Sequence, residues 1–359
     1  MSDLGTFCLY MATFTLSAYL FHVAMKQKKE GKHYGWLLFF AIIIPTVLAA
    51  VRYKVGTDYD NYKHMYETIK DSQGFAWFNK QDGTDKNLVL FFLIGKFASL
   101  FDSHQVFFGT FAFLIILFTY LGVKDRDLEV SNFVIAFIFL TTTFVTGFNI
   151  MRQTLAMAIV FYSLVFAEKR KPLEFILLII FASTVHVTSF VALPIYFMFG
   201  EEKPWSNLKR FFIIILSFVA IFFLPSLLSV FGGRYEGYDE YSSTEAANLT
   251  FYLNLAWTII FVVAYGRMSK INKSNNGFIF MFVISSIFQV TGFISPFVKR
   301  ISTYYSYQNF LLMGQLPCLF AKQDRTFINI LLIIYSIFIF ILSYWILGHS
   351  DLFPFDYRF

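Results

Sequence analysis

Long continuous apolar runs restrict the fold of this chain more than any other feature. They fall at residues 5–25, 35–51, 105–123, 131–148, 150–167, 211–231, 250–265, 277–295, 301–320 and 326–347, and a further run at 173–199 is interrupted by His186 and Pro194. A bilayer core about 30 Å thick takes about 20 apolar residues in a helix. Barrel strands would read as segments of about ten residues with alternating hydropathy, and these runs do not alternate. Only 14% of the residues are charged, whereas a soluble domain carries about 25%. The expected fold class is therefore all-α: a polytopic integral membrane helical bundle, with residues 1–359 forming a single transmembrane domain. Cys8 and Cys318 both lie in apolar runs and offer neither a disulfide framework nor metal-ligand spacing. The first basic cluster follows the first apolar run, the reverse of a cleavable signal peptide.

Lys and Arg in short connectors report orientation. Six connectors are basic: Lys26 to Lys32, Lys124 to Arg126, Lys169 to Lys171, Lys203 to Arg210, Arg267 to Lys273 and Lys322 to Arg325. All six are expected in the cytoplasm. Residues 173–199, flanked by basic connectors at both ends, must then be a hairpin of two short helices. Residues 87–101, which contain Lys96, must not cross; a re-entrant or interfacial helix on the outer face suits that length. The expectation is about twelve transmembrane helices plus that short one, with both termini outside. Two long loops, 52–86 and 232–248, face outward. Arg52, Lys54, Arg152, Arg234, Lys299 and Arg300 fall at outer helix ends or in outer loops, where the positive-inside rule gives no reason for them.

Four motifs carry chemistry. In Arg52-Tyr-Lys-Val-Gly56-Thr-Asp58-Tyr59-Asp60-Asn-Tyr62, the glycine suits a turn, the aspartates can accept hydrogen bonds from sugar hydroxyls, and Tyr59 and Tyr62 offer stacking faces. A solvated loop with aromatic interface anchors is the plainer reading. Asn149-Ile-Met-Arg152-Gln153 opens a helix with a cation, against the helix dipole. A bound anion explains that, since Arg presents a planar fork suited to phosphate; snorkelling to lipid headgroups is the alternative. Ser183-Thr-Val-His186-Val-Thr-Ser189 places an imidazole at the tip of the short hairpin. There it is either a base or donor near neutral pH or a side chain hydrogen-bonded to a neighbouring Ser or carbonyl. Finally, Arg300, Tyr304 and Tyr307 are spaced i, i+4, i+7 beside Lys299, one helix face with a cation at its outer end. An aromatic belt is the alternative there.

Taken in order, Arg52-x-x-x-Gly56-Thr-Asp58-Tyr59-x-x-Tyr62, then Arg152-Gln153, then the His186 hairpin, then Arg300-x-x-x-Tyr304 ahead of Pro317, the chain resembles the EpsG family of bacterial membrane proteins. Members of that family look like Wzy-type polysaccharide polymerases. The resemblance runs from about Arg52 to Pro317. One departure is that Lys86-Asn87 stands where the family often has an acidic residue, so no carboxylate is supplied there. The resemblance implies a multi-pass protein of the bacterial cytoplasmic membrane that makes a surface or extracellular polysaccharide: O-antigen, capsule or exopolysaccharide. Its donor and acceptor are glycans on undecaprenyl diphosphate. A sugar hydroxyl attacks the anomeric carbon, and undecaprenyl diphosphate leaves. Arg152, Arg300 and Arg52 would hold the diphosphate. Asp58 and His186 are the candidate bases. Tyr59, Tyr62, Gln153, Arg234, Lys299 and Tyr304 would contact substrate. Membrane lipids, a chain-length regulator and a flippase are the further partners implied, with no nucleic acid, no cofactor and no metal. The Asp58-x-Asp60 pair is the arrangement that could hold a divalent ion, because such ions want oxygen ligands.

Three other readings compete. A lipid-linked-glycan flippase should carry two related halves, and the chain has no internal repeat. A membrane O-acyltransferase would use a buried His but should line a path through the membrane with polar residues. A scaffold of a synthase complex needs no Arg cluster. Neither a P-loop nor a dinucleotide fingerprint is present, so no nucleotide-sugar site is expected.

Overall fold

The computed structural model describes residues 1–79, 88–126, 128, 130–199, 245–291 and 296–358. Arg234, the run 211–231, the connector Lys203 to Arg210 and most of loop 232–248 lie outside the described residues. Within them the chain is helical, with one isolated bridge, Arg52 to Tyr357, and no strand.

Local chemistry sets the helix ends. Helix α1 (Asp3–Lys29) begins where Ser2 Oγ accepts from Gly5 N at 3.2 Å, with Asp3 in its first turn and Lys26, Lys28 and Lys29 in its last, as a cap and the helix dipole favour. Helix α2 (Gly35–Val51) follows. Helix α3 (Tyr59–Asp71) buries Tyr59, Tyr62, Tyr66 and Ile69 on one face, and apart from Met65 the rest of it is charged or polar. It therefore lies along the bundle and does not cross. After α4 (Ala76–Asn79) comes α5 (Val89–Ser99); its 11 residues reach about 16 Å, too short to cross and in keeping with a re-entrant or interfacial helix. Helix α6 (His104–Lys124) is capped by Ser103. Helix α7 (Asn132–Ile138) continues as a π turn (Phe139–Phe144) and a 3₁₀ turn (Val145–Phe148) into α8 (Met151–Glu168).

The 173–199 hairpin is present as α9 (Pro172–Ser183) and a 3₁₀ arm (Val187–Met198). The second arm is not an α-helix. Its 12 residues reach about 24 Å at the longer 3₁₀ rise, against about 18 Å for an α-helix of equal length. Helices α10 (Glu245–Ile271) and α11 (Asn275–Thr291) form the next pair. The run 301–320 is not continuous: α12 (Pro296–Ser306) ends, and α13 (Asn309–Gln315) restarts before a 3₁₀ turn at Leu316–Leu319. The break falls at Gln308, whose buried amide donates to Tyr305 O at 2.6 Å. Helix α14 (Arg325–Phe340) closes in a second π turn, Ile341–Ile346.

Among the described residues four helices are long and apolar enough to cross a membrane: Asp3–Lys29, His104–Lys124, Phe251–Ile271 and Arg325–Ile346; six shorter apolar helices accompany them. Large apolar side chains also face outward. Val263 is 82% and Phe338 58% exposed, while Phe14, Phe111 and Phe139 are fully buried. Contiguous apolar exposure of this kind marks a lipid-facing surface. Between helices, hydroxyls join what the hydrophobic effect cannot: Ser17 Oγ donates to Ala41 O at 2.6 Å and meets Tyr120 OH at 3.0 Å.

Two poles emerge. At one, Lys29 Nζ donates to Leu128 O at 2.8 Å, Arg126 pairs with Glu168 at 2.7 Å, and Arg170 Nη1 donates to Phe199 O at 3.0 Å. The connectors 26–32, 124–126 and 169–171 thus share a face. At the other, the amino terminus donates to Phe355 O, and Tyr53 N donates to Asp356 O at 2.9 Å. Met1, residues 355–358 and the Arg52 loop lie together.

Candidate functional site

The site is assembled at the second pole from the ends of helices. Chain order brings the first motif straight out of α2. Gly56 has φ +104°, and a Cβ there would stand 2.8 Å from Phe148 O and 3.0 Å from Asn149 Oδ1. Only glycine satisfies both the positive φ and the close approach. The loop is thereby pressed onto the start of the second motif. Residues 351–358 close it from the other side: Gly56 N donates to Asp351 O at 3.2 Å and Arg358 N to Val51 O at 2.9 Å.

Arg52 is 2% exposed. Its Nη1 donates to Phe148 O at 3.0 Å, and its guanidinium lies 4.4 Å from the Phe148 ring centroid and 4.7 Å from that of Phe108. The cation is sandwiched between two rings, an arrangement that ties α2 to α6 and to the 3₁₀ turn before Arg152. Tyr59 is likewise packed, its ring stacked on Phe108 at 4.8 Å and 1% exposed. Tyr62 is buried as well. Burial pushes its phenol above the ordinary value, and Arg152, which hydrogen-bonds it, opposes that. Asp58 is half-buried at the start of α3, one turn before Tyr62, and Asn61 Nδ2 approaches its Oδ1 at 3.5 Å. Asp60 is exposed.

The second, third and fourth motifs converge. Gln153 is 3% exposed, and its Nε2 donates to Arg300 O at 2.8 Å and to Thr303 Oγ1 at 3.0 Å. This amide joins the first turn of α8 to α12, so Arg152 and Arg300 are carried on elements fastened beside each other. His186, half-buried in the connector between the hairpin arms, completes the group. Its Nδ1 lies 2.6 Å from Thr188 Oγ1 and 3.5 Å from Tyr304 OH, and those two oxygens are 3.2 Å apart. Burial first, then the charges of Arg152 and Arg300, push the imidazole down to about 3. The neutral form is therefore the resting one. Both hydroxyls are able to donate to Nδ1, which suits the tautomer with its proton on Nε2. Tyr305 OH donates to Val191 O at 2.7 Å and fixes α12 against the 3₁₀ arm.

The structure thus brings together Arg152, Gln153, His186, Arg300 and Tyr304, with Tyr62 against Arg152. Arg52 and Tyr59 sit in the packing behind them. Lys299 belongs to α12, and Arg234 lies outside the described residues. Tyr307, although spaced i+7 from Arg300, falls beyond the end of α12 and bonds Thr119 Oγ1 at 2.7 Å instead. Thr188 and Thr303 are the additions that sequence reasoning missed. Each lies two or three residues after a motif residue, a spacing that could have flagged them. Among the described residues no group of three or more His, Cys, Asp or Glu could hold a metal ion. The chemistry on offer is anion recognition by two guanidinium groups around a neutral imidazole.

The family model that matches this chain is that of the EpsG family, over residues 35–357. No curated protein and no solved structure matches it.

Proposed function

The chain belongs to the EpsG family, and from that premise we propose that it polymerises glycan repeat units carried on undecaprenyl diphosphate, at the outer face of a bacterial cytoplasmic membrane. The observation that carries the reading is the convergence of Arg152 and Arg300 on His186, held by the Gln153 clamp. A diphosphate leaving group needs this: fixed cations placed where negative charge develops. The second pole is taken as the outer one, because the basic connectors gather at the first. About twelve spans fit that orientation.

In this reading the acceptor hydroxyl forms the new bond to the donor's anomeric carbon as the bond to the diphosphate oxygen breaks. Arg152 and Arg300 take the charge of the leaving undecaprenyl diphosphate in bidentate bonds. His186 faces it with Nε2–H, a donor if Thr188 and Tyr304 hold Nδ1, and a base if the tautomer is reversed. Asp58, one turn from the tyrosine that bonds Arg152, takes the hydroxyl proton in the first case. Tyr304 orients the imidazole. Lys299 and Arg234 supply further positive charge for the headgroup. The lipid-facing surface accommodates the polyprenyl chain. Neither a nucleotide sugar nor a divalent ion is required, since the bond to be exchanged is already activated.

The test is reconstitution. Purified protein given only undecaprenyl-diphosphate-linked repeat units should yield a ladder of longer lipid-linked glycans, in EDTA as well as without it. Arg152→Ala and Arg300→Ala should abolish the ladder at normal protein level, and the Lys variants should restore part of it. Normal ladders in both Ala variants would remove the mechanism. Acyl transfer to the same glycan without any ladder would assign the protein to the acyltransferases.

A further inference from the structure

Beside the cationic cluster lies a cavity of different character. Its volume is about 280 Å³, and it sits where the two π turns, Phe139–Phe144 and Ile341–Ile346, face α10, α11 and α12. No Asp, Glu, Lys or Arg is found among the described residues that line it. The walls combine hydroxyls and amides such as Asn254 and Ser343 with apolar side chains such as Ile150, the rings of Trp257 and Tyr344, and the imidazole of His349. Two amide oxygens are left over. Gln289 is 8% exposed, and its Oε1 has no hydrogen-bond partner among the described residues; Asn309 Oδ1 is in the same condition. A buried acceptor without a donor costs about 1–3 kcal/mol, so such atoms in a formed cavity point to a ligand that brings donors.

The aromatic wall is held in place. Trp257 Nε1 donates to Tyr335 OH at 2.7 Å, and the two rings meet nearly edge-on with centroids 5.2 Å apart. Such a ring offers a face to C–H groups while the amides take hydroxyls. Two π turns at one cavity add to the case, since π turns inside helices gather at functional sites. The link to the cationic cluster is Thr303: its hydroxyl donates to Arg300 O at 2.6 Å, and its side chain also lines the cavity.

We infer that this cavity is a saccharide subsite, which holds a sugar unit of the glycan chain through neutral amides and hydroxyls against Trp257. A diphosphate is a poor match, because no Lys or Arg is found among the described residues of the wall. A polyprenyl chain is a poor match for the unpaired amide oxygens. The volume stands near the small end of ligand pockets, about 300–1,000 Å³, and suits one sugar unit more than an extended chain. The inference rests on the polymerase reading for the identity of its ligand.

The probe is the oligosaccharide released by mild acid from the lipid-linked pool of cells that make the protein. It is titrated into the full-length protein in nanodiscs, with tryptophan emission as the readout. The emission should change with saturation, and Trp257→Phe should remove most of that change. Gln289→Leu, which keeps the volume and deletes the acceptor, should weaken oligosaccharide binding about tenfold and leave the affinity for sugar-free undecaprenyl diphosphate unchanged. If that variant does not accumulate, Ser343→Ala carries the same comparison. Oligosaccharide binding that ignores both substitutions overturns the inference, as does an equal loss for both ligands. Gln289-dependent oligosaccharide binding without any polymerisation would keep the subsite and discard the polymerase reading. Polymerisation indifferent to Gln289 and Ser343 would do the opposite.

Discussion

Replacing Gln153 by Leu tests whether this amide positions a cation or touches substrate. The substitution removes two buried hydrogen bonds, to Arg300 O and Thr303 Oγ1. Each neutral bond contributes about 0.5–1.5 kcal/mol. The carbonyl is not orphaned, because Thr303 Oγ1 still donates to it at 2.6 Å. The expected loss of stability is therefore about 1–3 kcal/mol, with no further penalty for an unpaired carbonyl. The functional loss is a separate effect, because the amide fixes the spacing of Arg152 and Arg300, and a displacement of about 1 Å can cost about a hundredfold in rate. The assay is the reconstituted ladder with substrate varied, alongside denaturant unfolding of the same preparation. A positioning role lowers kcat by about a hundredfold and leaves KM within a small factor. A direct substrate contact would raise KM with kcat kept, as uniform binding predicts. That second pattern, or full activity in the variant, would falsify the clamp.

Three further outcomes are expected. In substrate-free protein the His186 imidazole is held below its ordinary 6.5, to about 3, by burial and two Arg charges; stability should be full above 6.5 and fall as the pH drops from there towards 3. His186→Gln should flatten that part of the profile, and an unchanged slope would show that the imidazole is not the group concerned. Gly56→Ala, at φ +104° with a carbonyl oxygen 2.8 Å from the new Cβ, should lower the unfolding free energy by about 1–3 kcal/mol, read as a lower denaturant midpoint, or prevent accumulation, whereas an unaltered midpoint would show that the loop is not pinned there. Arg52→Lys should reduce stability far more than it alters KM, because a point charge does not fill the slot between the Phe148 and Phe108 rings; a pure KM effect would return Arg52 to substrate steering.

What the sequence discloses is uneven, and the reasons are physical. Continuous apolar runs report solvent, so the membrane class and the short α5 were legible from spacing and length alone. The hairpin was legible from charge parity. Arg152 and Arg300, whose charges act on His186, were legible because each broke a local rule: a cation where dipole or topology disfavours one. Gln153 looked like a substrate ligand because its partner is a carbonyl 147 positions away, which no local pattern records. Tyr59 looked like an open stacking face, yet its face is occupied by Phe108 from α6. The i, i+7 relation of Arg300 and Tyr307 assumed an unbroken helix, and the polar turn at Gln308 ends it. The π turns and the neutral cavity between them leave no signature in hydropathy.

The return of residues 351–358 to the Arg52 loop has a consequence for biogenesis. A chain threads into the membrane from its amino end, so the loop at 52–58 is delivered early and waits for a partner about 300 positions later. Until Asp351, Asp356 and Arg358 arrive, the amides of Gly56 and Tyr53 and the carbonyl of Val51 lack the partners they have in the folded protein. The 351–358 stretch thus acts as a latch. A protein truncated just past Leu347 would keep α1 to α14 and still leave the site's floor open, and a reporter inserted directly after residue 358 would compete with the latch it is meant to follow.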